Sequence, residues 1–174
     1  MVRNNMRKND IPFLSSLQRN TMANTYTQIY IHTVFAVRFR QRLIPRDHEE
    51  EIRKYMTGIV TKCGSKLISI NNMPDHFHML IGLKPDISVS DLIGKVKSGS
   101  SGFINDSRMV VGHFEWQEGF GAFSYSRTQI SSIAGYIERQ QEHHKIKTFR
   151  EEYLELLEEF GIDFDQRYLF KDPE

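Results

Sequence analysis

The sequence predicts an α+β fold, and three observations carry that expectation. Stretches of two-residue alternation rich in Val, Ile, Phe and Tyr are interleaved with stretches of helical apolar spacing. Their order reads strand, helix, strand, strand, helix, strand, followed by further helices. The 174 residues, 39% hydrophobic and 11% aromatic, are enough to bury a core without disulfide or metal staples.

Residues 26–38 alternate and are β-branched or aromatic, which predicts the first strand. Pro45 and Asp47 then prepare a helix, with Asp47 as N-cap and Glu50 in capping-box position. Ile52, Tyr55, Met56, Ile59 and Val60 recur at helical spacing, and Gly64 ends the run. Residues 66–73 and 76–83 read as a second and third strand about the tight connection Pro74-Asp75. Lys84, Pro85 and Asp86 break the pattern. Ser88 or Ser90 caps a second helix through Leu92, Ile93, Val96 and Phe103, across a weakly helix-forming Ser98–Gly102 stretch. Residues 113–117 read as the fourth strand, and residues 119–124 as a glycine-bearing turn or extended segment. A third helix is expected over 128–144 and a fourth over 149–160, stopped by Gly161. This order is that of a ferredoxin-like βαββαβ antiparallel sheet with additional C-terminal helices, in which the first and third strands are central neighbours.

Charge is unevenly spread. Twenty-three Lys and Arg face 22 Asp and Glu, a net of +1. Residues 1–23 carry +3, residues 24–148 carry +4 and residues 149–174 carry −6, so neutrality hides a basic body behind an acidic tail. That tail is expected to fold away from a polyanionic partner. Residues 1–23 read as a disordered extension, with Met22 as an alternative start. A single cysteine, Cys63, excludes an internal disulfide and a Cys₂ or Cys₄ zinc site within one chain. The absence of an 18-residue apolar run predicts no membrane partner, and the cysteine usage predicts a cytoplasmic protein. No phosphate-binding loop, dinucleotide fingerprint or nucleophile elbow is present.

His76-Phe77-His78 is the sharpest local signal. On a strand the two imidazoles share a face, while Phe77 points the other way. The pair fits either half of a metal site or two half-exposed strand histidines. Tyr136 and Gln140, four apart on a helix, share a face, as a nucleophile with a neutral oxygen ligand or as an ordinary amphipathic edge. His143 and His144 read as partners of the helix C-terminus rather than as ligands. His32 is expected in the sheet rather than as a competing ligand, and Asp75 either as a carboxylate beside the pair on the opposite strand face or as a turn residue after Pro74. Lys84, Lys95, Lys97 and Arg108 flank the Ser-rich second helix and read as phosphate contacts or as a solvated face. Trp116, Phe120, Phe123 and Tyr125 fit base stacking or core.

Three linked segments give the chain a family likeness: His76-Phe77-His78, residues 116–124 (WQEGFGAFS) and residues 136–144 (YIERQQEHH). In this order and spacing they resemble the single-tyrosine HUH transposases of the insertion-sequence 200/605 family, over about residues 24–170. The resemblance implies a catalytic domain over 24–148, with the acidic helix and tail of 149–174 packed on it. It implies an enzyme that cleaves and rejoins single-stranded DNA through a 5′-phosphotyrosine. Tyr136 would be the nucleophile, and His76, His78 and Gln140 the ligands of Mg²⁺ or Mn²⁺. It further implies DNA hairpins at element ends as partner and a homodimer, with residues 119–124 as a hinge before the tyrosine helix. A domesticated relative acting on repeated palindromes and a non-catalytic hairpin-binding module are the alternatives.

Overall fold

The computed structural model describes residues 26–165 and Leu169; the expected extension over 1–23 lies outside them. A four-stranded antiparallel sheet is built from β1 (Tyr30–Ala36), β2 (Lys66–Met73), β3 (His76–Gly82) and β4 (Gly121–Tyr125), in the order β2-β3-β1-β4. The first and third strands are the central pair, with Val34 opposite His78, Phe35 opposite Phe77 and Ala36 opposite His76. The chain therefore has the ferredoxin-like α+β architecture.

One sheet face is covered by α1 (Glu49–Lys62) and α2 (Val89–Asp106). Phe35, Val37, Phe77, Met79 and Ile81 point into this layer and meet Ile52, Met56, Leu92 and Val96. Phe77 lies parallel to Phe35, with ring centroids 6.0 Å apart, and edge-on to Trp116. The other face carries Val34, Ala36, Phe123 and Tyr125 against Phe149, Leu156 and Leu157 of α5 (Phe149–Glu159). Between β4 and α5 lie α3 (Ile130–Glu138) and the single turn α4 (Gln140–His143).

Several expected boundaries shift for local reasons. Asp47 does not cap α1. It lies in a 3₁₀ turn, Arg46–His48, and three glutamates in the first turn, Glu49, Glu50 and Glu51, face the helix N-terminus instead. Gly64, at φ +77°, ends α1 as foreseen: its N–H meets the Thr61 carbonyl and that of Ser65 meets Val60. Ser88 caps α2, accepting from the Asp91 N–H at 3.0 Å. The Ser98–Gly102 stretch stays helical, and Ser100 is tied in by the Val96 carbonyl and the Trp116 indole.

Two corrections matter more. The fourth strand is not residues 113–117, which contribute only an isolated bridge between Trp116 and Val37. It is Gly121–Tyr125, where Gly121, Phe123 and Tyr125 are buried and Ala122 and Ser124 exposed, so the extended alternative for this glycine-bearing segment is the one found. The expected hinge is thus mostly a paired strand. The helix expected over 128–144 is broken at Arg139, which has non-helical dihedrals between α3 and α4. Asn71 of β2 donates to the Ile137 and Glu138 carbonyls and so pins the end of α3 to the sheet.

β4 and α5 approach closely at Gly121, where a Cβ would lie 2.8 Å from the Tyr153 ring of α5 and 3.0 Å from Phe123 of β4 itself. Gly121→Ala is expected to lower stability by about 1–3 kcal/mol through overpacking. Urea unfolding measures this, and an unchanged midpoint would contradict the packing described.

Candidate metal centre and nucleophile

The pleat of β3 places His76 and His78 on the α5 side of the sheet, both essentially fully buried. Each ring is oriented through its Nδ1. His76 Nδ1 lies 2.8 Å from Asp75 Oδ1, and His78 Nδ1 lies 3.0 Å from His32 Nε2. His32 thus supports His78 from the neighbouring strand. Asp75 does not merely shape the turn, because its other oxygen accepts from Arg40 at 3.1 Å. Burial pushes the Asp75 carboxyl up, but His76 and Arg40 outweigh it and hold the group down at about 2.

The elements after β4 close over this pair. Tyr136 on α3 donates its hydroxyl to Glu152 Oε1, and Gln140 donates its amide to the same oxygen at 2.9 Å. The two expected helix-face partners therefore meet at a third residue, on α5. Glu152 Oε2 lies 3.1 Å from His144 Nε2 and 3.5 Å from His78 Nε2, while His144 Nε2 is 3.0 Å from His76 Nε2. Potential ligand atoms of His76, His78, His144 and Glu152 all lie within 4.8 Å of one another, so this cluster could hold a metal ion. His78 Nε2, Gln140 Oε1 and Glu152 Oε2 are buried with no hydrogen-bond partner. Orphaned lone pairs of this kind fit a cation.

His144 and Glu152 were not legible as site residues in the sequence. As a residue at a helix C-terminus His144 carried no ligand signal; it reaches the cluster because it caps the short α4, while its neighbour His143 stays outside the group. Glu152 carried a usable signal, since it stands among Phe149, Leu156 and Leu157 on the apolar stripe of α5, where a carboxylate needs partners. The acidic tail is thus not wholly turned away: α5 inserts one carboxylate, 2% exposed, into the cluster.

A cleft of about 290 Å³, lined by Arg40, Arg42, Lys145 and Lys147, reaches His76 and His144. A larger groove, about 1190 Å³, runs along α2 past Lys97, Trp116 and Phe120 and does not touch the cluster. Lys97 donates to the Gln117 and Gly119 carbonyls, and Lys84 pairs with Asp86 at 2.6 Å. Lys95 and Arg108 are exposed. Phe123 is core, and Trp116 packs edge-on against Phe35 and Phe114.

Burial keeps the imidazoles neutral. It lowers His32 and His76, brings His78 down to about 3 and, with the neighbouring His76, brings His144 down to about 4. Burial raises the Glu152 carboxyl to about 7. Unfolded histidine takes its proton near 6.5, so below that pH the unfolded chain binds more protons and stability falls. Glu152 works the other way, binding its proton in the folded chain between 4.5 and about 7. Four histidines outweigh one carboxylate. The metal-free protein is expected to lose stability from about pH 6.5 to 4.5, at up to about 1.4 kcal/mol per pH unit for each proton taken up. Glu152→Gln should steepen the loss. Denaturant melts across this range measure it, and a flat profile would contradict the buried-neutral assignment.

Comparison with known proteins gives the family to which the chain belongs. Residues 25–140 match the family model described as "Transposase IS200 like". The ISDra2 transposase TnpA of Deinococcus radiodurans is 22% identical over 125 residues, covering 66% of this chain and 86% of that protein. A crystal structure described as a transposase from Deinococcus radiodurans superposes with a TM-score of 0.54 at 20% identity, covering 68% of this chain and 95% of the other. A REP-associated tyrosine transposase, solved bound to a REP hairpin, gives 0.55 at 14% identity, over 70% and 72% of the two chains. Among the described residues no helix is long and apolar enough to cross a membrane. With the family match spanning two thirds of its length, and the histidine pair and tyrosine inside that match, the chain belongs to the IS200-like transposase family.

Proposed function

We propose that this transposase cleaves and rejoins single-stranded DNA at the ends of an insertion element through a 5′-phosphotyrosine on Tyr136. The observation that supports it best is the position of the Tyr136 hydroxyl. It is bonded to a buried carboxylate at the edge of the histidine cluster, the one phenol so placed among the described residues. As the bond from Tyr136 Oη to phosphorus forms, the phenol proton passes to the ionised Glu152 Oε1, the bond from phosphorus to the 3′ oxygen breaks, and the departing 3′ oxygen takes a proton from solvent to become the 3′-hydroxyl. The free 3′-hydroxyl or another one reverses the step, so the ester bond is conserved and no nucleotide is consumed.

The family's metal is Mg²⁺ or Mn²⁺, and bound at His76 and His78 with Gln140 it would polarise a phosphate oxygen and stabilise charge there. The orphaned lone pairs of His78 and Gln140 fit such an ion. Asp75 and His32 fix the rings of the pair, and Phe149, stacked on His76 at 4.1 Å, shields one side from water. The basic cleft beside His76 and His144 suits the incoming phosphodiester strand. A DNA hairpin as partner draws support from the structurally similar REP-associated protein, which is bound to one. Lys95 and Arg108 offer exposed cations for it, and Lys84 and Lys97 are proposed beside them, although both already hold protein partners. One tyrosine per site implies that two cleavages use two copies, hence a homodimer.

The test is an adduct assay with a labelled single-stranded element end and Mn²⁺ or Mg²⁺, read on a denaturing gel. Wild type is expected to form a covalent protein–DNA species. Tyr136→Phe is expected to lose it entirely while retaining hairpin binding within about twofold. Cleavage by Tyr136→Phe at the wild-type rate would refute the nucleophile.

A further inference from the structure

His144 and Glu152 lie beyond residues 25–140, the stretch that matches the family, yet they converge on its histidine pair. Their hydrogen bonds fix where the protons sit. The Lys147 carbonyl can only accept, so His144 Nδ1, 3.0 Å away, carries the hydrogen. The neutral ring then presents a bare lone pair at Nε2. Asp75, whose other oxygen is paired with Arg40, likewise accepts the hydrogen of His76 Nδ1 and leaves Nε2 bare. These two bare nitrogens face each other at 3.0 Å, and Glu152 Oε2 stands 3.1 Å from one of them. If His78 Nδ1 donates to His32 Nε2, then His78 Nε2 is bare as well, 3.5 Å from the same oxygen. With Glu152 ionised, these lone pairs converge in a dry pocket, where a cation between them would satisfy all four.

The spacing has the right size. Metal–nitrogen and metal–oxygen bonds of about 2.1 Å put adjacent ligands about 3.0–3.4 Å apart in octahedral or tetrahedral geometry. Three of the six separations are 3.0, 3.1 and 3.5 Å, and all six fall within 4.8 Å. Each imidazole also has the outer partner that ligating histidines need: Asp75, His32 or the Lys147 carbonyl.

We propose that His144 Nε2 and Glu152 Oε2 join His76 Nε2 and His78 Nε2 as ligands, making a three-histidine, one-carboxylate centre for a transition ion such as Mn²⁺, Fe²⁺ or Zn²⁺. Three imidazoles suit these ions and disfavour Mg²⁺, which prefers oxygen and keeps its water. Gln140 is then a positioning residue, its amide held on Glu152 Oε1 beside Tyr136. This inference rests on the metal-binding part of the function proposed above and alters its ligand set.

The experiment is metal binding to the purified full-length protein without DNA. In wild type loaded with Mn²⁺, pulsed electron paramagnetic resonance should count three coupled imidazole nitrogens. A count of two overturns the proposal whatever the variants do. By calorimetric titration, His144→Ala and Glu152→Gln should each weaken Mn²⁺ binding at least about tenfold, and Gln140→Ala less than either. Mn²⁺ should also bind at least about a hundredfold more tightly than Mg²⁺. Far-ultraviolet circular dichroism confirms that each variant is folded. Unchanged affinity in both His144→Ala and Glu152→Gln, with Gln140→Ala weakened, overturns this ligand set and leaves the function proposed above standing. Failure of wild type to bind any of these ions removes the metal part of both.

Discussion

Everything functional in this chain hangs on the two-residue period of β3. Phe77, Met79 and Ile81 lock one face of the central strand into the α1–α2 layer, and this leaves His76 and His78 no choice of side. A register slip of one residue would bury the histidines among the apolar side chains of α1 and α2 and expose Phe77. The antiparallel pairing with β1 guards against that slip, because Phe35 and Phe77 are opposite each other and stacked. The same pairing brings His32, two residues before Val34, to the His78 side.

The second layer differs in kind. The α1–α2 layer is an apolar core whose buried Ser100 is satisfied by the Val96 carbonyl and the Trp116 indole, whereas the α5 layer surrounds a polar centre with Val34, Ala36, Phe123 and Leu156. Dry walls strengthen each hydrogen bond inside and make each unpartnered atom costly. Arg139 is where the covering chain adapts. By interrupting the helix it lets α3 end on Asn71 while Gln140, the first residue of α4, turns its amide to Glu152.

Much of this was legible in the sequence, and the limits have physical causes. The β2 and β3 runs lie either side of Pro74-Asp75, a strong local signal, and β2 falls where alternation puts it. The His-x-His pair is a matter of strand geometry alone, so its shared face followed directly. Tyr136 and Gln140 do meet, but through Glu152 rather than through an unbroken helix, since the break at Arg139 depends on tertiary contacts from Asn71. The β4 segment reads equally as a turn or an extended segment because its glycines resemble turn signals, whereas Gly121 is small to admit Tyr153. The charge count misled in its own way. It treated the residues of 149–174 as one acidic block and could not separate the surface glutamates of α5 from the buried one.

Glu152 has two oxygens with different neighbours, the phenol and amide on one side and imidazole nitrogens on the other. A carboxylate is a single delocalised system, so electron density drawn toward one oxygen is withdrawn from the other. The side chain is therefore a wire as well as a brace. A cation held at its inner oxygen would draw density from the outer one and so change how strongly that oxygen holds the tyrosine hydrogen.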